Sequence, residues 1–284
     1  MSSNSVKPPQ IRTPAITIHD ILVNQARERM KKIKYKIAVL SGKGGVGKSF
    51  ISASLSLALA KEGYRVALLD GDLHGSSIPT LLGIEEANLY AGDEGIIPAR
   101  GPLDIAFVSI GLMLPRRDTP VVWRGPLKSR AIIELLAKVV WGERDFLVID
   151  LPPGTGDEVI TIVQTIQDLD GAIVVTAPSI LSEVVVAKAL RFLVDNGIRV
   201  LGIVENMCYF KCPDTGKIYY LLGKSTGEEL ARKYGTELLA KIPLDPLIPK
   251  ALEERKPYYL AYPEGEAAKA IRELTVKIIE KLKK

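Results

Sequence analysis

Residues Gly42-Lys43-Gly44-Gly45-Val46-Gly47-Lys48-Ser49 follow directly on the apolar run Ile37-Ala38-Val39-Leu40. The octet fits the spacing G-x-x-x-x-G-K-[ST], with a second lysine, Lys43, right after the first glycine. A strand that runs into such a loop and then into a helix leaves few folds open, because the loop must wrap an anion at the strand's end. The four glycines let the backbone around Val46 bend closely enough to aim several N–H groups at one point. The helix opening at Lys48, Ser49 and Phe50 adds its positive dipole end there. In this pattern Lys48 neutralises the β- and γ-phosphates of a nucleoside triphosphate, and the Ser49 hydroxyl reaches Mg²⁺. Gly42-x-Gly44-x-x-Gly47 also meets the dinucleotide fingerprint, with Asp70 at the distance of a ribose-binding acid. Lys48 and Ser49 argue against that reading, since a dinucleotide turn has no use for a lysine and a hydroxyl at the start of its helix.

Beyond the loop, short apolar runs alternate with longer amphipathic ones. Strands are expected at 36–41, 65–70, 104–110, 145–150, 171–176, 199–204 and 238–242. Helices are expected at 18–33, 48–61, 126–140, 156–168, 181–195, 225–234, 246–254 and 266–282. Runs that are apolar throughout, such as Ala172-Ile173-Val174-Val175, suit parallel strands covered on both faces. The alternation predicts an α/β fold, doubly wound, with a mostly parallel sheet and helices on both faces. Residues 1–17, with Pro8, Pro9 and Pro14, read as an irregular N-terminal arm, and 18–284 as a single domain. The Gly- and acid-rich stretch 83–103 shows no clear period and reads as a long loop.

The composition, 47% apolar and 25% charged over 284 residues, is that of an ordinary globular protein. Basic runs at Lys31–Lys36 and Lys281–Lys284 read as solvated faces, so nucleic acid is not an expected partner. No run of 18 apolar residues exists, so no membrane span is expected. The N-terminus carries no apolar leader core, which predicts a cytoplasmic protein.

Two acidic stretches end expected strands. Asp70-Gly71-Asp72 sets two carboxylates two residues apart, on the same side of the chain. One can hold the strand end while the other reaches the Mg²⁺ shell or the attacking water. Such a pair also serves in caps and turns. Phe146-Leu147-Val148-Ile149-Asp150, four apolar residues ending in a carboxylate, has the form of a second contributor to the metal shell. Gly154, a few residues on, is placed to turn its N–H toward a γ-phosphate, a contact that differs between triphosphate and diphosphate.

These pieces together carry a resemblance. Lys43 in the loop, Asp70-Gly71-Asp72 continuing to Gly75, Ser77 and Pro79, Trp123-Arg124-Gly125-Pro126, the run from Asp150 to Asp157, and Glu205-Asn206-Met207 resemble the Mrp (ApbC-type) family over roughly residues 18–280. Members of that family are ATP-binding iron–sulfur cluster carriers within the MinD/ParA, or deviant Walker A, class of P-loop NTPases. The resemblance implies a Mg²⁺-dependent homodimer that hydrolyses ATP slowly and hands clusters to apo iron–sulfur acceptor proteins. It implies a catalytic set of Lys43, Lys48 and Asp72, with Lys43 crossing to the partner subunit's nucleotide and Asp72 positioning the hydrolytic water. It implies that residues 42–50 (Gly42 to Phe50) hold the phosphates, that Ser49, Asp72 and Asp150 serve Mg²⁺, and that Asn206 recognises adenine. The segment from Pro243 would close over the base.

The family carries Cys-Pro-x-Cys after Glu-Asn-Met, and four thiolates from a two-fold dimer would hold a bridging [4Fe–4S] cluster. This chain has Cys208, then Cys212-Pro213-Asp214, and Thr215 where the second family cysteine stands. Three readings remain open. Cys208 replaces the missing ligand, which needs a turn, since four extended residues span about 13 Å. Alternatively, Cys212 pairs only with its symmetry mate, and Asp214 or another group completes the site. In the third reading no cluster binds, and Cys208 is a small buried apolar residue. The function expected is therefore an iron–sulfur carrier, with a MinD/ParA-like ATPase switch on membrane or DNA as the alternative. The C-terminal helix (Ile271, Leu274, Ile278, Leu282) is expected to pack on its own sheet rather than on a membrane.

Overall fold

A computed structural model describes residues 17–72, 76–85, 88–109, 125–179 and 182–283. The arm over 1–16 lies outside the described residues, as do Gly75, Trp123 and Arg124. The chain runs α1 (Ile18–Met30), β1 (Ile33–Leu40), α2 (Lys48–Lys61), β2 (Val66–Asp70), α3 (Ile78–Leu81), β3 (Tyr90–Gly92), β4 (Gly95–Ile97) and β5 (Ala99–Arg100). A 3₁₀ turn (Pro102–Asp104) leads to β6 (Ala106–Ser109), α4 (Gly125–Lys138), β7 (Arg144–Asp150), α5 (Asp157–Ile166), β8 (Gly171–Thr176) and α6 (Ser182–Asp195). Then come β9 (Val200–Lys211), β10 (Ile218–Tyr219), α7 (Gly227–Lys233), β11 (Leu238–Leu244), α8 (Leu247–Glu253), α9 (Tyr258–Ala261) and α10 (Glu266–Lys283).

Nine strands form one sheet in the order β10-β9-β8-β1-β7-β2-β6-β5, with β11 beside β9. Among the described residues of this sheet, β5 and β10 pair antiparallel and the other ladders are parallel. Successive side chains of a strand point to opposite faces, so a strand apolar at every position feeds two cores. In β1, Ala38 and Leu40 join a core with residues of α1, α4, α5 and α6, while Ile37 and Val39 join a second with α2, α9 and α10. The first helix opens on a capping box. The Asp20 N–H donates to Thr17 Oγ1 at 3.2 Å, and the Asp20 carboxylate accepts the Thr17 N–H at 2.9 Å. It stops at Met30, short of the expected 33, because Ile33 already pairs with Arg144 in the sheet.

Two expectations change. Residues 83–103 are not one long loop. They hold the β3–β4 hairpin, with Tyr90 opposite Ile97, and the short edge strand β5. Strands of two or three residues are too short for alternation to register. Second, β9 runs to Lys211, well past its expected end at 204. Its ladder continues beside β11, where Leu244 lies opposite Phe210, and beside β10, where Ile218 lies opposite Lys211. The apolar face of α10 (Ala267, Ala268, Ile271, Leu274, Ile278) is buried in the second core. Among the described residues no helix is long and apolar enough to cross a membrane.

Candidate nucleotide site and cysteine hairpin

The carboxyl ends of β1, β2 and β7 meet at one place. In register, Val39 lies opposite Asp150, and Asp150 lies opposite Asp70 on the far side. The glycine loop rises between them. Gly45 and Gly47 have φ of +77° and +78°, left-handed values that favour glycine. Gly47 is also the N-cap of α2 and offers no side-chain cap, so the first N–H groups of that helix face the loop uncapped. A Cβ on Gly47 would lie 2.2 Å from Asn206 Nδ2. That amide donates to the Val46 carbonyl at 2.9 Å, which ties the middle of β9 to the loop.

Below the loop, Asp150 gathers the cationic and hydroxyl groups. Lys48 Nζ is 2.7 Å from Asp150 Oδ1, in a pair with side-chain exposures of 6% and 0%. Ser49 Oγ donates to Oδ2 at 2.6 Å, and Ser52 Oγ donates to Oδ1 at 2.6 Å. A carboxylate this deeply buried needs such donors to satisfy its oxygens. Ser52 was not singled out from sequence. Its place one helical turn after Ser49, on the same face, is the signal that would have found it.

Asp70 plays a different part. It is fully buried, and its carboxyl accepts from Ser76 Oγ at 2.5 Å, Ser109 Oγ at 2.9 Å and the Asp72 N–H at 3.1 Å. Burial, reinforced by the Asp150 charge, pushes its pKa up to about 7 against those hydrogen bonds. Asp70 thus holds the strand end, while Asp72 stands half-buried beyond it. Lys43 is half-buried within the loop. The Gly154 N–H donates to the Ser41 carbonyl at 2.8 Å, and Gly154 has φ of +87°. Phe50 is buried against Tyr258, ring centroids 5.6 Å apart. Pro243 is buried near the end of β11, and Ile242, just before it, lies opposite Asn206.

The residues fit a nucleotide and its metal. The open side of the loop at Gly44 and Gly45, where a Cβ would touch nothing within 4 Å, leaves room for phosphates. Among the described residues no three His, Cys, Asp or Glu side chains form a self-sufficient metal cage. Mg²⁺ suits such a place, because it takes one or two protein oxygens and completes its shell with phosphate oxygens and water.

The two cysteines sit in unlike surroundings. Cys208 is buried at 1% exposure within β9, and its thiol donates to the Ile242 carbonyl at 3.3 Å. Burial, with the nearby Glu205 charge, pushes this thiol up to about 12. Cys212 follows the strand and opens a hairpin turn, closed by Cys212 N–H to the Lys217 carbonyl at 2.9 Å and Gly216 N–H to the Cys212 carbonyl at 2.8 Å. Its thiol is held below the usual range by the Thr215 hydroxyl, then by the Thr215 and Asp214 N–H groups. Thr215, at the second family position, is thus the leading influence on the first cysteine. The structure places Cys212 on a cavity of about 360 Å³ and Cys208 in the core.

A glycine-lined anion cradle at the carboxyl ends of parallel strands, with a lysine, a serine and a strand-end aspartate knotted beneath it, defines the class: a P-loop NTPase of the MinD/ParA-like, doubly wound type. The family model described as ParA, NUBPL iron-transfer P-loop NTPase, matches residues 32–279, and the chain belongs to that family. It is 46% identical over 252 residues to an iron-sulfur cluster carrier protein of Saccharolobus solfataricus, spanning 89% of this chain and 85% of the relative. It is 40% identical over 258 residues to the cytosolic Fe-S cluster assembly factor NUBP2 of Gallus gallus, spanning 89% and 95%. Among solved structures it resembles the nucleotide-binding protein of Archaeoglobus fulgidus in complex with ADP. The TM-score is 0.74 at 41% identity, over 84% of this chain and 93% of the other. The Mg-ADP complex of the septum site-determining protein MinD from Pyrococcus horikoshii shares the fold, with a TM-score of 0.61 at 24% identity over 86% and 96%. The resemblance to the Mrp (ApbC-type) carriers drawn from the motifs is thereby borne out.

Proposed function

We propose that this chain is a Mg²⁺-dependent ATPase that works as a homodimer and carries an iron–sulfur cluster to acceptor proteins. The knot of Lys48, Ser49 and Asp150 under the uncapped helix carries the reading. In it the lysine and the hydroxyl are held ready beside the carboxylate. Lys48 would pass to an arriving triphosphate, and Ser49 and Asp150 would hold Mg²⁺, which would supply neutralisation of the phosphate charge. Asp72 orients the attacking water, and Lys43 reaches the partner subunit's nucleotide. Asn206 leaves the Val46 carbonyl to read the adenine edge, and Gly154 leaves Ser41 to sense the γ-phosphate.

The cargo reading rests on Cys212. It is the partly exposed thiol, its pKa is lowered, and it lies on the turn that joins β9 to β10. Each subunit of the dimer supplies one such thiol, and the remaining cluster positions are filled by other groups. Cys208 stays in the core as an apolar residue in this reading. Anaerobic reconstitution with iron and sulfide tests it. The expected result is bound iron and a visible chromophore that Cys212→Ala removes and Cys208→Ala leaves in place, with transfer to an apo-acceptor. No iron uptake, together with ATP-dependent sedimentation on lipid or DNA, would replace the carrier by the switch.

A further inference from the structure

The end of β11 and the turn that follows it run from Asn206 to the cysteine hairpin. Ile242 lies beside Asn206, and Leu244 lies beside Phe210, two residues before Cys212. Pro243 to Leu247 then form a wall of the 360 Å³ cavity onto which Cys212 opens, with Glu264–Glu266 opposite. One short stretch of chain thus borders the proposed base site and the thiol cavity.

A buried clasp holds that stretch. Asp245 is 8% exposed. Its carboxylate accepts from the Leu247 N–H at 2.9 Å, from Tyr258 Oη at 2.5 Å and from the Ala267 N–H at 3.3 Å. Tyr258 Oη in turn accepts the Ala268 N–H at 3.1 Å, and the Tyr258 ring packs on Phe50 in the first turn of α2. The clasp needs close approach. A Cβ on Gly265 would lie 2.3 Å from Tyr258 Oη and 2.9 Å from Asp245 Oδ2. Asp245 and Tyr258 bond to each other and to the backbone around them, which is the work of placement. A satisfied buried network of this kind has one arrangement, and motion of one member moves the others.

We propose that Asp245 and Tyr258 are positioning residues that make Pro243–Leu247 a single rigid wall, so that a base seated on one side sets the access to Cys212 on the other. The proposal rests on the adenine reading of this segment. The test uses the full chain and iodoacetamide, with and without saturating Mg·ADP. Cys208 is buried with a raised thiol, so alkylation reports Cys212. In the wild type Mg·ADP is expected to slow alkylation about fivefold, the lower end of ordinary coupling between sites. Tyr258→Phe removes only the hydroxyl and keeps the ring on Phe50. It is expected to bind ADP while its alkylation rate responds less than about twofold, since the wall is no longer pinned. Asp245→Asn should behave likewise if its melting curve stays cooperative. A wild-type rate that saturating Mg·ADP leaves unmoved or raises would overturn the inference, as would a Tyr258→Phe response equal to wild type. Calorimetry on the same samples separates this from failure of the base reading, in which ADP and GDP bind wild type with equal affinity.

Discussion

With Lys48, Ser49 and Ser52 all on its carboxylate, Asp150 is the residue whose partners decide whether the site stands. Removing Lys48 leaves a buried charge short of its cation, at a cost of about 3–5 kcal/mol. Denaturant unfolding of Lys48→Ala should show that loss alongside the loss of nucleotide binding, whereas Ser49→Ala keeps the ion pair and should lose mainly the Mg²⁺ dependence of binding. Asp70 makes a pH prediction. Its folded pKa, about 7, lies above the ordinary 3.8, so between these values the folded chain holds a proton that the unfolded chain releases. Stability from this group is therefore fully present below pH 4 and is lost as pH rises toward 7. Asp70→Asn should flatten that slope relative to wild type in urea unfolding across the window. A wild type and variant with parallel slopes would count against the burial account. At Cys212, Thr215→Val removes the hydroxyl donor and should move the alkylation pH profile upward; an unmoved profile would leave the hydroxyl without a role.

At the scale of elements, what repeats was legible and what is short or long-range was not. Helix α2 was read at its observed bounds because a glycine loop fixes its start, and Ala and Leu carry it to Lys61. The parallel strands announced themselves by being apolar at every position. The β3–β4 hairpin did not, since three residues give no period. Asp150 was readable because four apolar residues end on it. The Asp245–Tyr258 clasp was not, because its partners lie 13 and 22 residues apart and only the fold of α9 against α10 brings them together. Thr215 was visible as a departure from the family pair, but its influence on Cys212 needed the hairpin. The loop itself yields a prediction. Gly47→Ala places a side chain at φ of +78° and against Asn206. The backbone conformation alone costs about 1–2 kcal/mol, and calorimetry should find ADP binding weakened as well. Unchanged affinity would mean that the left-handed turn and the Asn206 contact are not what shape the cradle.

For the whole molecule, the sheet puts the glycine loop, the segment from Pro243 and the cysteine hairpin at the carboxyl ends of its strands, so one side of the sheet gathers all three. A second copy meeting that face would bring Lys43 to the partner's phosphates. Lys43→Ala should then keep Mg·ATP affinity and lose turnover, and wild-type turnover per chain should rise with protein concentration. Full turnover in Lys43→Ala would remove the cross-subunit role. The central claim is simpler than any of these: the loop from Gly42 to Ser49, with Asp150 beneath it, grips a nucleotide tail and its Mg²⁺. Titrating Mg·ADP into the wild-type chain by calorimetry tests it most directly. A saturable heat with one site per chain, weakened when Mg²⁺ is withheld, is the result predicted; no heat at millimolar nucleotide would contradict the account.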